Sequence, residues 1–116
     1  MTTHLALVPG LNNTHAVFSN VLSALPERIP PHALNNPALE TVEAIAAAWL
    51  QNLPDQFWLA GFSFGGYVAL AMLEAAPQRV QGIALICTSP FADNEAAAQR
   101  RRTSLESVAQ GRYFEM

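Results

Sequence analysis

Three short apolar runs, each closed by turn residues and separated by helix-spaced segments, constrain this chain more than any other feature. Leu5-Ala-Leu-Val8 is closed by Pro9-Gly10. Phe57-Trp-Leu-Ala60 runs into Gly61-Phe-Ser-Phe-Gly-Gly66, and Ile83-Ala-Leu-Ile-Cys87 leaves through Thr88-Ser89-Pro90. Unbroken apolar runs of this length read as strands buried on both faces, the condition of a parallel sheet covered on each side by crossover helices. Between them, Val17, Phe18, Val21, Leu22 and Leu25 share one helical face, and Pro26 ends that helix. A second helix runs from about Leu39 to Pro54, with Val42, Ile45, Ala46, Trp49, Leu50 and Leu53 at three-and-four spacing. A third covers residues 67–76 and stops at Pro77. The alternation predicts an α/β layered fold with a parallel sheet. The proline-rich stretch that follows the first helix has room only for a short or edge strand near residues 28–34, because proline cannot donate to a ladder.

Composition then removes whole classes of function. The chain has 116 residues, the size of one domain, with 51% hydrophobic and 13% charged residues, so it carries enough apolar surface to fold. A formal charge of −3, with six arginines and no lysine, leaves no basic footprint for nucleic acid. No apolar stretch approaches the roughly 18 residues a membrane-spanning helix needs. A single cysteine, Cys87, cannot form an internal disulfide, and the first residues lack the basic and apolar regions of a secretory signal. A soluble, cytoplasmic chain without nucleic-acid or membrane partners is the expectation.

The chemistry-bearing motif is Gly61-Phe62-Ser63-Phe64-Gly65, a Gly-x-Ser-x-Gly pentapeptide. At ordinary glycine and serine usage such a pentapeptide arises by chance in roughly 4% of chains this long, so its context must decide. Here an apolar strand precedes it and an apolar helix follows it, which is the setting of a sharp strand-to-helix turn that exposes a serine hydroxyl. Glycines at the flanking positions let the turn pass close to its neighbours, and the N-terminus of the following helix offers free N–H groups and a positive dipole end to a developing oxyanion. The competing reading is a tight Gly/Ser turn without catalysis. A phosphate loop is excluded because no Gly-Lys-Ser/Thr follows Gly10, and a dinucleotide site because the first strand lacks a Gly-x-Gly-x-x-Gly turn.

With these residues in view, the chain resembles the first half of an α/β-hydrolase fold protein. Leu5-Ala-Leu-Val-Pro-Gly-Leu11 is similar to the family's strand and oxyanion loop, except that Pro9 stands where a histidine usually precedes the glycine. Leu59-Ala-Gly-Phe-Ser-Phe-Gly-Gly66 resembles its nucleophile elbow, and Pro77-Gln-Arg-Val-Gln-Gly-Ile-Ala-Leu-Ile86 its approach to the next strand. The narrower likeness is to small bacterial esterases and lyases acting on acyl or pimeloyl-type esters. The resemblance implies a three-layer partial α/β-hydrolase fold, with a mostly parallel sheet of about four strands and helices on both faces. The proline-rich strand, the first strand, the elbow strand and the strand from Ile83 to Cys87 would lie in that order. Residues 1–92 would form the N-terminal part of the core and residues 93–116 the start of a lid, the chain reading as truncated there.

Carried over residue by residue, the resemblance makes Ser63 the nucleophile of an acyl-enzyme mechanism on a small carboxylic ester. The backbone N–H groups of Leu11 and Phe64 would form the oxyanion hole, Gly61 and Gly65 would be the elbow glycines, and neither metal nor organic cofactor would be used. The family's order is serine, then acid, then histidine, yet no histidine follows Ser63; the three present are His4, His15 and His32. The alternative is therefore a catalytically inactive fragment or interaction module. His15, just past the oxyanion loop, and Asp93, after the third apolar run, are stand-ins for the missing base and acid, each with a plain structural reading beside it: a first-turn histidine and a helix N-cap. His4 reads as structural at the sheet's far end, while His32 has no placement. Cys87 reads as a buried strand residue and Trp49 and Trp58 as core. Phe62 and Phe64 read as packing or acyl-pocket residues. Arg100-Arg101-Arg102 reads as a solvated helix face, with steering of an anionic substrate as the functional counterpart. The last apolar strand, uncovered at a sheet edge, would favour self-association from Ile83 to Cys87.

Overall fold

The computed structural model describes residues 3–11, 13–89 and 94–111. Four parallel strands form one sheet: β1 (Leu5–Val8), β2 (Pro31–Ala33), β3 (Phe57–Phe62) and β4 (Val80–Ile86), in the order β2-β1-β3-β4. The α/β class, the parallel sheet and the strand order are as expected. β2 is three residues long and lies at one edge, where the missing N–H groups of Pro30 and Pro31 cost least. β4 lies at the other edge.

The crossovers cover the two faces unequally. On one face, α2 (Val42–Gln51) and α3 (Phe64–Ala75) bury Ile45, Ala46, Trp49, Val68, Ala69 and Met72 against Ala6, Val8, Phe57 and Leu59. The other face carries a single 3-10 turn (His15–Phe18) and the six-residue α1 (Ser19–Ala24), so its cluster is small: Leu7, Phe18 and Ala60, with Leu22, Ala33 and Phe62 packed around them. The expected apolar face of the first helix is thus only half used. Phe18 is buried, whereas Val17 and Val21 are exposed.

Local chemistry sets the helix ends. α2 begins at Val42 rather than Leu39, since the Thr41 hydroxyl accepts a 3.0 Å hydrogen bond from the Ala44 N–H and so caps the helix there. At its other end the Arg79 guanidinium donates to the carbonyls of Leu50, Leu53, Pro54 and Asp55, at 2.9 to 3.1 Å, while lying over the Phe57 ring. One side chain therefore satisfies several carbonyls left free where α2 unwinds. α3 starts at Phe64, three residues before the expected Tyr67, and its first turn holds Gly65 and Gly66. These residues are poor helix formers, so the spacing alone put the start too late.

Three expectations are corrected. The third apolar run is not buried: Ile83 and Ile86, which point to opposite faces of the edge strand, are both exposed. Cys87 is neither buried nor in the strand; it follows β4 with a left-handed φ of 54° and is exposed. Trp58 is 45% exposed whereas Trp49 is 2% exposed, since Trp58 points to the thinly covered face, its ring lying against Gly82 of β4. Asp93 lies outside the described residues. α4 (Glu95–Ala109) is capped instead by Asn94, whose Oδ1 accepts a 2.8 Å bond from the Ala97 N–H. Among the described residues no helix is long and apolar enough to cross a membrane.

Candidate active site

Parallel strands put their carboxyl ends on one side, and ligands of such sheets bind where crossovers leave for opposite directions. Here that point lies between β1 and β3. From β1 the chain crosses outward to β2, whereas β3 leads the other way to β4. Val8 pairs with Gly61 and Phe62 with Ile86, so Pro9-Gly10, Ser63 and Cys87 emerge side by side.

Ser63 sits between β3 and α3 with φ 55° and ψ −118°, an unusual conformation for a residue with a side chain. Hydrogen bonds hold the turn on both sides. The Ser63 N–H donates to the Ile86 carbonyl at 2.8 Å, and the Ser63 carbonyl accepts from the Gly66 N–H at 2.9 Å. The residue is exposed at the surface. Strained backbone of this kind costs on the order of 1–3 kcal/mol and persists only where the surroundings hold it.

The glycines make this turn possible by close approach. A Cβ on Gly61 would lie 2.5 Å from the Gly65 carbonyl oxygen, and one on Gly65 would strike the carbonyl oxygens of Val8 and Pro9. The end of β1 therefore rests directly on the first turn of α3. A Cβ on Gly10 would lie 3.3 Å from Ser63 Cβ, so the Pro9-Gly10-Leu11 segment is in contact with the serine. That segment is held from outside as well. Asn36 Nδ2 donates to the Pro9 carbonyl at 2.9 Å, and Asn36 Oδ1 accepts from Trp49 Nε1 at 2.8 Å. A buried tryptophan in α2 is thereby tied to the loop beside Ser63. Sequence reasoning missed Asn36, whose only signal was an Asn-Asn-Pro turn in the proline-rich stretch.

The remaining candidates divide clearly. Phe64 is the first residue of α3, so its N–H has no partner within the helix, and its ring meets Tyr67 edge-on. Leu11 follows Gly10 with an exposed side chain. His15 opens the 3-10 turn, where Asn35 Oδ1 accepts from its backbone N–H at 2.8 Å and from its ring Nδ1 at 2.9 Å. An oxygen can only accept, so Nδ1 carries the proton and Nε2 of the neutral ring keeps its lone pair. His4 and His32 lie elsewhere, meeting one another at the amino end of β1. Thr88 was also missed. Its hydroxyl is buried against Gly66 of α3 and has no hydrogen-bond partner among the described residues.

Residues 3–115 match the family model described as the alpha/beta hydrolase fold. The chain belongs to the α/β-hydrolase fold family. A pimeloyl-[acyl-carrier protein] methyl ester esterase of Nitrosomonas europaea is 27% identical over 94 residues, which cover 74% of this α/β-hydrolase chain and 37% of that protein. A protein of the same name from Aromatoleum aromaticum is 39% identical over 62 residues, covering 53% of this chain and 25% of its own length. This chain thus spans well under half the length of the curated relatives it matches. Among solved structures, a thermophilic esterase from Thermogutta terrifontis superposes with a TM-score of 0.73 at 24% identity, over 91% of this chain and 44% of that one, a likeness of fold.

Proposed function

We propose that this α/β-hydrolase chain carries the nucleophile and oxyanion-binding loop of a serine hydrolase acting on a small carboxylic ester. The observation that supports it most is the left-handed Ser63, exposed on a Gly-x-Ser-x-Gly turn with the Gly10 loop against it. In this reading Ser63 Oγ attacks the acyl carbon as its proton passes to a base, the alcohol leaves with a proton, and water then hydrolyses the acyl-enzyme. The N–H groups of Leu11 and Phe64 stabilise the oxyanion, each donor contributing about 2.7–4 kcal/mol to the transition state. The names of the relatives support a methyl ester of an acyl group as the substrate of this proposal.

Within these residues the base of this proposal is His15, which follows the oxyanion loop and has its Nε2 free of the Asn35 bond. A second reading is favoured by one observation, that no histidine follows Ser63: the chain holds the nucleophile without its base and is inactive by itself. Residues 93–116 belong in either reading to the start of a lid. Arg101 of α4 supports this by stacking on Tyr67, in the first turns of α3, and donating to its hydroxyl at 2.9 Å. Self-association through the β4 edge is part of the same proposal, on the exposure of Ile83 and Ile86.

Labelling by a fluorophosphonate, read by intact mass, tests the two readings. One adduct on the parent chain, lost in Ser63→Ala and slowed in His15→Gln, supports the working nucleophile. A chain that is folded by circular dichroism and takes no label overturns it in favour of the inactive half-site.

A further inference from the structure

Gly10 is the most permissive residue in the segment that touches Ser63, so its own backbone does not fix the direction of the next N–H. Two hydrogen bonds, one on each side, do. Downstream, the Gly10 carbonyl accepts from the Asn13 N–H at 3.2 Å. The Gly10–Leu11 peptide is trans, so the Leu11 N–H points away from that carbonyl. Upstream, the Pro9 carbonyl accepts from Asn36 Nδ2 at 2.9 Å, and its oxygen lies 2.7 Å from where a Cβ on Gly65 would stand. Pro9 is fully buried and has no N–H of its own, so this carbonyl is its only polar handle.

Asn36 suits the place by its two-sided chemistry. The Trp49 indole only donates and the Pro9 carbonyl only accepts, so the residue between them must accept from one and donate to the other. Asn36 Oδ1 takes the Trp49 Nε1–H at 2.8 Å, which leaves Nδ2 facing Pro9. Trp49 is itself buried in the core that α2 and α3 form on the sheet. The hold on the loop therefore runs from the core outward through one amide. A carboxylate of the same size would keep the Trp49 bond and lose the Pro9 bond, because it has no proton to donate.

We propose that Asn36 is a positioning residue of the serine site, holding the Pro9 peptide so that the Leu11 N–H faces the oxyanion formed at Ser63, with Trp49 as its anchor. The proposal rests on the reading of Ser63 as nucleophile and Leu11 as oxyanion donor given above. It adds that the donor's direction is set away from the reacting atoms, by α2 and the segment that follows β2.

Fluorophosphonate labelling rates and backbone 15N relaxation of the full chain test it together. In Asn36→Asp, labelling is expected to slow about tenfold to a hundredfold, the scale of a small misplacement at a reacting centre. The ratio of its rate to the parent's should then rise as the pH is lowered, because the protonated carboxyl regains an O–H for the Pro9 carbonyl. Trp49→Phe keeps a buried ring and gives a smaller fall in the same direction. Asn52→Asp, an equal change of charge at the end of α2, leaves the rate unchanged. A parent-like rate in Asn36→Asp, a deficit that is flat with pH, or an equal deficit in Asn52→Asp overturns the proposal.

Relaxation separates this outcome from failure of the nucleophile itself. Order parameters of Gly10 and Leu11 should drop in Asn36→Asp from about 0.85, the rigid value, towards about 0.6, with β3 and α3 unchanged. If the parent takes no label, the nucleophile reading fails, and these amides still decide whether Asn36 holds the loop. A third measurement needs no variant, and so stands if the substitutions unfold the chain. In the parent, the Trp49 indole N–H and the Asn36 side-chain amide should exchange with solvent at least about tenfold more slowly than the exposed Trp58 indole and Asn94 amide. Equal exchange rates overturn the proposal.

Discussion

β3 and β4 are neighbours in one sheet, both apolar, paired from Trp58–Gly82 to Phe62–Ile86, yet they have opposite fates. β3 buries Phe57, Leu59 and Ala60 and ends in the Ser63 turn, whereas β4 leaves Ile83 and Ile86 open to solvent. The side chains differ little in hydrophobicity; what differs is what lies above them. β3 has strands on both sides and α3 on one face, while among the described residues β4 has a strand on one side only. Burial here is a property of neighbours, and the Ser63 turn ends the strand that has a partner on each side.

The strongest way to break this contrast is to truncate the shared core. Met72→Ala removes a fully buried side chain packed against the central sheet and is expected to cost about 2–5 kcal/mol, whereas Ile86→Ala changes stability by less than about 0.5 kcal/mol. Urea unfolding of the two variants side by side checks it, and equal losses would mean that β4 is covered in solution.

Next in size is Gly65→Ala. Its new Cβ strikes the carbonyl oxygens of Val8 and Pro9, which are backbone and cannot swing away, so a loss of about 1–3 kcal/mol is expected. If Ser63 is the nucleophile, fluorophosphonate labelling should fall further than stability does, because the Gly10 loop is displaced from the serine.

The double change Ile83→Lys with Ile86→Lys sharpens the comparison from the edge. Charge on an edge strand blocks pairing with another chain, so self-association should fall while stability moves by only about 0.5 kcal/mol. Sedimentation velocity over a concentration series reads this. A parent that is monomeric throughout would remove β4 as an interface.

The smallest effect concerns pH. Burial, and then the charge of His4, hold the His32 imidazole below its ordinary pKa. The unfolded chain therefore binds more protons than the folded chain between that lowered value and the usual 6.5. Stability from this residue is fully present above pH 6.5 and is lost as the pH falls towards the folded value. Unfolding midpoints should decline across that window, and His32→Gln should flatten the decline.

Much of the fold was legible because the relevant physics is local. The runs at Leu5 and Phe57 and the glycines around Ser63 specify strand, turn and helix within a few residues, and the prolines near His32 predicted a short edge strand that the sheet contains. The α3 start was legible only in part, since Gly65 and Gly66 are poor helix formers kept for their close approach to β1 and Thr88. Trp49 and Trp58 could not be told apart by composition. One lies on the buried face of α2 with its Nε1 bonded to Asn36, and the other points to the opposite, thinly covered face of the sheet.

The sequence by itself determined the class of fold and the position of the serine turn, because periodicity and turn-forming glycines act over a few residues. Tertiary structure alone decided that β4 is rim rather than core, that Asn36 steadies the loop beside Ser63, and that His4 meets His32 from 28 residues away. Those outcomes depend on which segments become neighbours, and strand pairing and helix length settle that only once the sheet is assembled.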